Sequence, residues 1–257
     1  VKNINIGGDS DPIDFIVMNS ILYFSPLEDA SNDYELWRSD GTEVGTYQVS
    51  EINESDTSNP NHFAVLDGNL YFAATDASGD TELWKSDGTD AGTERVADLR
   101  SGDSSSPSDL TAFNGSLYFA ATDSNGTELW KSDGTESGTF MLKDLDGTTN
   151  SSNPSHFVIT DDKMFFYAVY GRSSVALWVT DGTEEGTIKL TDDFSRIRGN
   201  DSNEFLYEPP KIINSSLPKV IFCPFSDDFG YELWTSDGTE EGTQMLFELN
   251  DDGNGCY

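Results

Sequence analysis

Forty-seven carboxylates, two histidines and two cysteines are the side chains with chemistry to offer in this 257-residue chain. Paired carboxylates can act as the acid and base of a glycosidase. With so many acidic residues some pair always lies close, so their number lends that reading no support. His62 and His156 each follow an Asn-Pro-x frame and precede Phe63 and Phe157, while the corresponding places elsewhere hold Asp14, Asp109 and Lys211. A place that accepts Asp, His and Lys reads as a tolerant strand entry and not as a catalytic base. The sequence holds no nucleophile elbow, phosphate-binding loop or zinc helix motif. No catalytic residue is assigned, and the expectation is a protein that is not an enzyme.

Calcium is the one cofactor kept in view. Asp9-Ser10-Asp11, Asp227-Asp228 and Asp251-Asp252-Gly253-Asn254 cluster the oxygen ligands that a hard cation takes. None has the spacing of the twelve-residue calcium loop, and solvated acidic loops are the plainer account. Cys223 and Cys256 fit no zinc motif. They are expected to form a disulfide in an oxidising compartment, with free thiols or a bond to another chain as the alternatives. Asn-x-Ser/Thr sequons stand at Asn53, Asn114, Asn125, Asn150, Asn200 and Asn214. These are glycan acceptors if the chain is secreted by a eukaryote, and otherwise turn asparagines.

The formal net charge is -33, with only 14 basic residues, so nucleic acid is excluded as a partner. No apolar run approaches a membrane span. A first residue that is Val and not Met suggests a processed product or an excised segment.

The elements that carry these residues repeat. Trp37, Trp84, Trp130, Trp178 and Trp234 stand in five copies of one phrase, spaced 47, 46, 48 and 56 residues apart. Units of this length cannot bury their apolar faces alone and must stack into an array. The expected units are residues 5–52, 53–99, 100–145, 146–193 and 194–249, with 250–257 a tail or the start of another repeat. In the cleanest unit, Ser108–Phe113 and Ser116–Thr122 flank Asn114-Gly115, a hairpin turn signal. Glu128–Ser132 and Thr139–Leu145 complete four strands. Leu129 and Trp130 are adjacent, so they face opposite sides of a sheet and both sides need apolar cover. Stacked four-stranded blades supply it, as in a β-propeller; a parallel β-helix is the rival. The five tryptophans are expected in the core, where Trp→Ala typically costs about 3–5 kcal/mol. Asp40, Asp87, Asp133, Asp181 and Asp237 are expected to accept backbone N–H bonds two residues on. Gly88 and Gly92 are expected to supply positive φ there.

The phrase Glu82-Leu-Trp-Lys-Ser-Asp-Gly-Thr-Asp-Ala-Gly-Thr93 resembles the Glu-Leu-Trp-x-Ser-Asp-Gly-Thr-x-x-Gly-Thr repeats of large secreted and surface proteins with predicted β-propellers. The resemblance covers almost the whole chain. It implies a secreted propeller-like scaffold and carries over no catalytic residue. The turn is also similar to the Asp-box hairpin of sialidase-type propellers, where the Asp is structural. Repeat four departs from the phrase with Ala176 and Thr180, and repeat five carries an insertion near residues 196–210. Val1-Lys-Asn-Ile4 looks like the end of a fourth strand, which makes six such endings for five repeats. The expectation is an all-β, five-bladed β-propeller, or a propeller-like segment of a longer array, outside the cell or on its surface. Its leading role is structural or adhesive, with protein neighbours in a surface assembly, homo-oligomer or filament. A glycan-binding module is the second reading, with Tyr170, Phe194, Tyr207 and Phe229 as stacking aromatics. A hydrolase is the third.

Overall fold

The computed structural model describes residues 2–28, 33–170, 174–191, 194–195, 211–214, 219–226 and 230–247. Among them there are strands and turns and no helix. Sheet 1 holds β1 (Ile13–Met18), β2 (Ile21–Ser25), β3 (Leu36–Ser39) and β4 (Tyr47–Ser50). Sheet 2 holds β5 (Asn61–Leu66), β6 (Asn69–Thr75), β7 (Thr81–Ser86) and β8 (Glu94–Ala97). Sheet 3 holds β9 (Ser108–Phe113), β10 (Ser116–Asp123), β11 (Gly126–Ser132) and β12 (Phe140–Lys143). Sheet 4 holds β13 (Ser155–Ile159), β14 (Met164–Tyr170), β15 (Ser174–Thr180) and β16 (Ile188–Lys189), with β17 (Phe194–Ser195) also paired to β15. Sheet 5 is β18 (Lys211–Asn214), β19 (Lys219–Phe222), β22 (Leu233–Ser236) and β23 (Gln244–Phe247). A two-stranded ribbon, β20 (Phe225–Ser226) and β21 (Gly230–Tyr231), interrupts it between β19 and β22. Cys223 therefore follows β19 and is not within a second strand. The insertion at residues 196–210 lies outside the described residues.

The chain divides into two compact units: Val1–Ser124 with Trp130–Met141, and Asn125–Leu129 with Leu142–Tyr257. In the first unit two apolar layers lie between successive sheets. Met18, Tyr23 and Leu36 of sheet 1 meet Leu70, Phe72 and Trp84 of sheet 2. Tyr71, Leu83 and Val96 of sheet 2 meet Leu117, Phe119 and Trp130 of sheet 3. Adjacent Leu83 and Trp84 thus enter different layers, as strand geometry requires. In the second unit Phe165, Tyr167 and Leu177 of sheet 4 meet Val220, Phe222 and Trp234 of sheet 5. Trp37, Trp130 and Trp178 are buried. Trp84 and Trp234 are only half-buried, short of the full burial expected of the core.

Two local devices set these faces. The β1–β2, β5–β6 and β9–β10 turns place Asn19-Ser20, Asp67-Gly68 and Asn114-Gly115 at positive φ, the geometry of a type I′ hairpin. Each of the first four opening strands also bulges. Register shifts fall between Ile13 and Ile16, Asn61 and Ala64, and Ser155 and Val158, and opposite Tyr118 and Ala120 on β9. The left-handed residues at the bulges are Asp14, His62, Asp109 and His156, with φ of 46°, 57°, 55° and 60°. Asp and His tolerate that region better than most side chains. This is the physical content of the strand-entry pattern.

The Asp-Gly-Thr-x-x-Gly-Thr turn is a closed hydrogen-bond circuit. Thr42 donates its N–H (2.9 Å) and its hydroxyl (2.7 Å) to Asp40 Oδ1. Gly45 N–H donates to Thr42 Oγ1, and Thr46 Oγ1 donates to the Thr42 carbonyl. Ser39 Oγ meets Thr46 Oγ1 at 2.7 Å and accepts from Gly41 N–H. Asp87, Asp133, Asp181 and Asp237 accept from Thr89, Thr135, Thr183 and Thr239 in the same way. In repeat four Thr180 takes the role of the Ser, bonding Thr187 and Gly182 N–H, so that departure keeps the hydroxyl.

The two glycines serve different ends. Gly88 has φ 91°, whereas Gly92 is not at positive φ, which corrects the sequence expectation. A Cβ on Gly92 would overlap the Asp87 carboxylate, so glycine is needed there for space. Residues 2–4 form no strand. Even so, Lys2 Nζ donates to the Thr46 carbonyl at 3.0 Å and lies 5.2 Å over the Trp37 ring. Lys143, at the end of β12, donates likewise to the Thr187 carbonyl at 2.7 Å.

Gly92→Ala is expected to destabilise the chain by about 1–2 kcal/mol, by pushing Asp87 out of its bonds to Thr89. In an Asp87→Ala background the same substitution should be neutral or slightly stabilising. A double-mutant cycle by thermal denaturation reads this; additive costs would show that the carboxylate is not what excludes the methyl.

Candidate functional site

The most heavily engaged chemical group is one the motif displays openly: its leading glutamate. Glu35, Glu82 and Glu128 open or precede the third strands and are fully buried. Glu35 accepts from Ile52 N–H (3.0 Å), Ser58 N–H (3.0 Å) and Ser58 Oγ (2.6 Å). Glu82 accepts from Leu99 N–H (3.1 Å), Ser105 N–H (3.0 Å) and Ser105 Oγ (2.6 Å). Glu128 accepts from Leu145 N–H (2.9 Å), Ser152 N–H (3.0 Å) and Ser152 Oγ (3.0 Å). The partners lie on the linker that leaves one sheet and enters the first strand of the next. Each glutamate ties a third strand to that linker, while the aspartates of the phrase serve the turn. The signal available was co-occurrence: a Ser before each Asn-Pro or Ser-Pro accompanies each such Glu and fails where Ala176 replaces it. In sheet 4 a different arrangement stands there. Leu177 N–H bonds Thr191 Oγ1 at 3.0 Å, and β17 pairs with β15 at Val175 and Ser174. Glu232 of sheet 5 is buried as well.

Burial raises the pKa of Glu35 and Glu128 to about 7, against the pull of the donated hydrogen bonds, and raises that of Glu82. Hydrogen bonds from the turn threonines hold Asp40, Asp87, Asp133 and Asp237 below the ordinary aspartate value.

A second polar line runs along the bulges of the first unit. His62 N–H donates to Asp14 Oδ2 at 3.2 Å, and Asp109 N–H donates to His62 Nδ1 at 3.3 Å. The accepting Nδ1 puts the proton of neutral His62 on Nε2. In the second unit His156 Nδ1 lies 3.0 Å from Ser155 Oγ, and its ring meets Tyr167 edge-on at 6.2 Å. His156, Ser155 and Tyr167 line a small recess with Asn153 and Val175. Ser155 and His156 are chain neighbours, and the contact follows from the bulge that bends the strand there.

Asp9 and Asp11 are exposed, while Asp227, Asp228, Asp251 and Asp252 lie outside the described residues. Among the described residues no group of three His, Cys, Asp or Glu side chains is placed to hold a metal ion. Of the sequon residues, Asn114 and Asn150 are exposed and Asn125 is half-buried. Asn53 is buried, with its amide oxygen held by Ser55, so it does not stand free in the folded chain. Asn200 lies outside the described residues, and Asn214 is in β18. Tyr170 is exposed, with Lys189 Nζ 4.3 Å over its ring, so its face is already engaged. Phe194 lies in β17; Tyr207, Phe229 and Cys256, the expected partner of Cys223, lie outside the described residues.

No protein-family model and no curated protein matches this chain. Among solved structures it is similar to puromycin hydrolase, with a TM-score of 0.58 and 13% identity over 93% of this chain and 38% of that one. It is similar to a Mycobacterium tuberculosis puromycin-hydrolyzing peptidase, with a TM-score of 0.57 and 10% identity over 92% of this chain and 37% of that one. TolB from Acinetobacter baumannii gives 0.50 and 11% over 88% and 51%. The chain thus spans well under half the length of the two hydrolases. At these identities the likeness is one of fold: all-β, β-propeller-like, built of four-stranded antiparallel sheets.

The glutamates and turn aspartates impose opposite pH dependences. A raised carboxyl pKa favours the neutral form in the fold, so that contribution is complete below about 4.5 and is lost as pH rises through about 7. The lowered aspartates stabilise above their unfolded value of 3.8, and that contribution is lost on further acidification. Tm is therefore expected to fall between pH 4.5 and 7. The double variant Glu35→Gln, Glu128→Gln should melt lower, with a flatter slope across that window and an unchanged acid limb. An unchanged neutral slope would show that these glutamates do not titrate there.

Proposed function

We propose that this chain is a non-catalytic β-propeller module with a structural and adhesive role outside the cell, presenting its loops to protein neighbours. The observation that carries this reading is where the chemistry-bearing groups are engaged. The glutamates of the phrase hold linkers, its aspartates close turns, and His62 accepts a backbone N–H at a bulge. These groups build a repeat. The hydrolytic names of two structural neighbours belong to chains more than twice as long as the part matched. Exposed sequons at Asn114 and Asn150 fit the extracellular setting. The acidic surface fits a soluble module that resists non-specific association.

A glycan-binding role is the second reading, and a hydrolase acting through Ser155 and His156 the third. Particles coated with the chain are expected to adhere to intact cells of the source organism. That adhesion should survive periodate oxidation of surface sugars and be lost after protease shaving. Loss on periodate alone would move the assignment to a lectin. Turnover of amide, ester or glycoside substrates that disappears in both Ser155→Ala and His156→Ala would make the chain an enzyme.

A further inference from the structure

An N-linked glycan asks three things of a sequon: the motif, an amide open to solvent, and a fold that keeps its shape with a sugar attached. Four sequons have their side chains among the described residues, and the fold treats them differently. Asn53 sits in the linker from sheet 1 to sheet 2, between Ile52 and Ser58, both of which Glu35 holds. It is 4% exposed. Its amide oxygen accepts from Ser55 N–H and Oγ, and its Nδ2 donates to the Thr57 carbonyl at 3.4 Å. A sugar on that nitrogen has no room unless the linker leaves Glu35. Asn125 is half-buried, and beside it a single Cβ on Gly126 would come within 2.9 Å of the Asn150–Ser151 backbone. Asn150 is exposed, but its Nδ2 donates to Thr148 Oγ1 at 2.7 Å, and the serine of its sequon, Ser152, is fully buried against Glu128.

Asn114 meets all three conditions. It is the first residue of the two-residue turn between β9 and β10, exposed and at φ 47°. Asparagine tolerates that left-handed backbone. A Cβ on its neighbour Gly115 would meet nothing within 4 Å, so the tip of the turn projects into open space. The flanking residues Phe113 and Ser116 pair with each other, which closes the ladder before the amide is reached. A substituent at the tip therefore disturbs no strand pairing. Ser116 completes the sequon from the first position of β10.

We propose that Asn114 carries an N-linked glycan. The donor is an oligosaccharide joined to a lipid pyrophosphate. Its anomeric carbon forms a bond to Asn114 Nδ2 and loses its bond to the pyrophosphate oxygen. The lipid pyrophosphate leaves with that electron pair, and one amide proton passes to base. The β9–β10 turn shares one end of sheet 3 with the Asp133 turn, while the linkers run at the other end, so the sugar covers the turn end. This inference rests on the extracellular setting proposed above.

Mass spectrometry of intact glycopeptides from the native chain, combined with cell fractionation, tests it. The peptide holding Asn114 is expected to carry a glycan and the peptide holding Asn53 to be bare. The intact glycopeptide is the readout because an exposed Asn-Gly pair also deamidates to Asp without any sugar. In the full chain secreted from eukaryotic cells, Asn114→Asp and Ser116→Ala should each abolish that glycopeptide, and Ser116→Thr should keep it. Asn114→Asp should melt as the enzymatically deglycosylated wild type does, since Asp67 holds the same place in the β5–β6 turn at φ 49°. An extracellular native chain with a bare or merely deamidated Asn114 would overturn the inference and leave the extracellular setting standing. A glycan at Asn53 in a chain that melts like its unglycosylated form would overturn the selection by fold. A chain confined to the cytosol with a bare Asn114 would remove the setting and the inference together.

Discussion

A leucine and a tryptophan stand side by side in every repeat, so a sheet carries large apolar groups on both faces. Neither face can be left wet. Burying one such side chain contributes roughly 1.5–3 kcal/mol, and a lone four-stranded sheet, wet on both faces, would forgo most of that gain. Stacking follows. Leu83 and Trp84 enter different layers, and each layer is filled from the two sheets it separates. The hairpin turns and the bulges serve this requirement. A type I′ turn sets strand register, and the bulge at Asp14, His62, Asp109 or His156 decides which residues of the opening strand look forward and which look back.

Stacked sheets still need their linkers held, and the polar part of the phrase does this. A carboxylate placed between two sheets must be surrounded by donors, or its desolvation would be prohibitive. Glu35, Glu82 and Glu128 receive bonds from two backbone N–H groups and a serine hydroxyl each. Deep burial nonetheless keeps their pKa values high, whereas the turn aspartates at the surface are held low by threonine. One short phrase therefore contains two carboxyl groups of opposite electrostatic character, five positions apart. Repeat four illustrates the rule by departure. With Ala176 there is no buried carboxyl group to surround, and the place beside β15 is taken by β17.

Some of this was legible in the residues. Asn114-Gly115 announces its hairpin, the adjacency of Leu129 and Trp130 announces burial on both faces, and the spacing of Asp and Thr announces the turn circuit. Other features were not. Gly92 reads as a conformational glycine, but its φ is ordinary, and only the carboxylate of Asp87 lying over it explains the residue. The sequon at Asn53 reads as a surface acceptor, but its side chain is buried and bonded to Ser55. The role of Glu82 needs Leu99 and Ser105, 17 and 23 positions away, and the recurring Ser before Asn-Pro or Ser-Pro marks only one of the two and does not say what it meets.

By itself the sequence determined the repeat, its four strands, the reversal at each turn and the need for cover on both faces. These depend on local φ preferences and on side-chain alternation, which neighbouring residues define. The tertiary structure alone decided which face each bulged strand presents, which carboxylate meets which linker, and that Asn53 is buried where Asn114 stays open. Those outcomes depend on contacts between sheets, and a residue's partner across a sheet interface is set by the packing of the whole repeat.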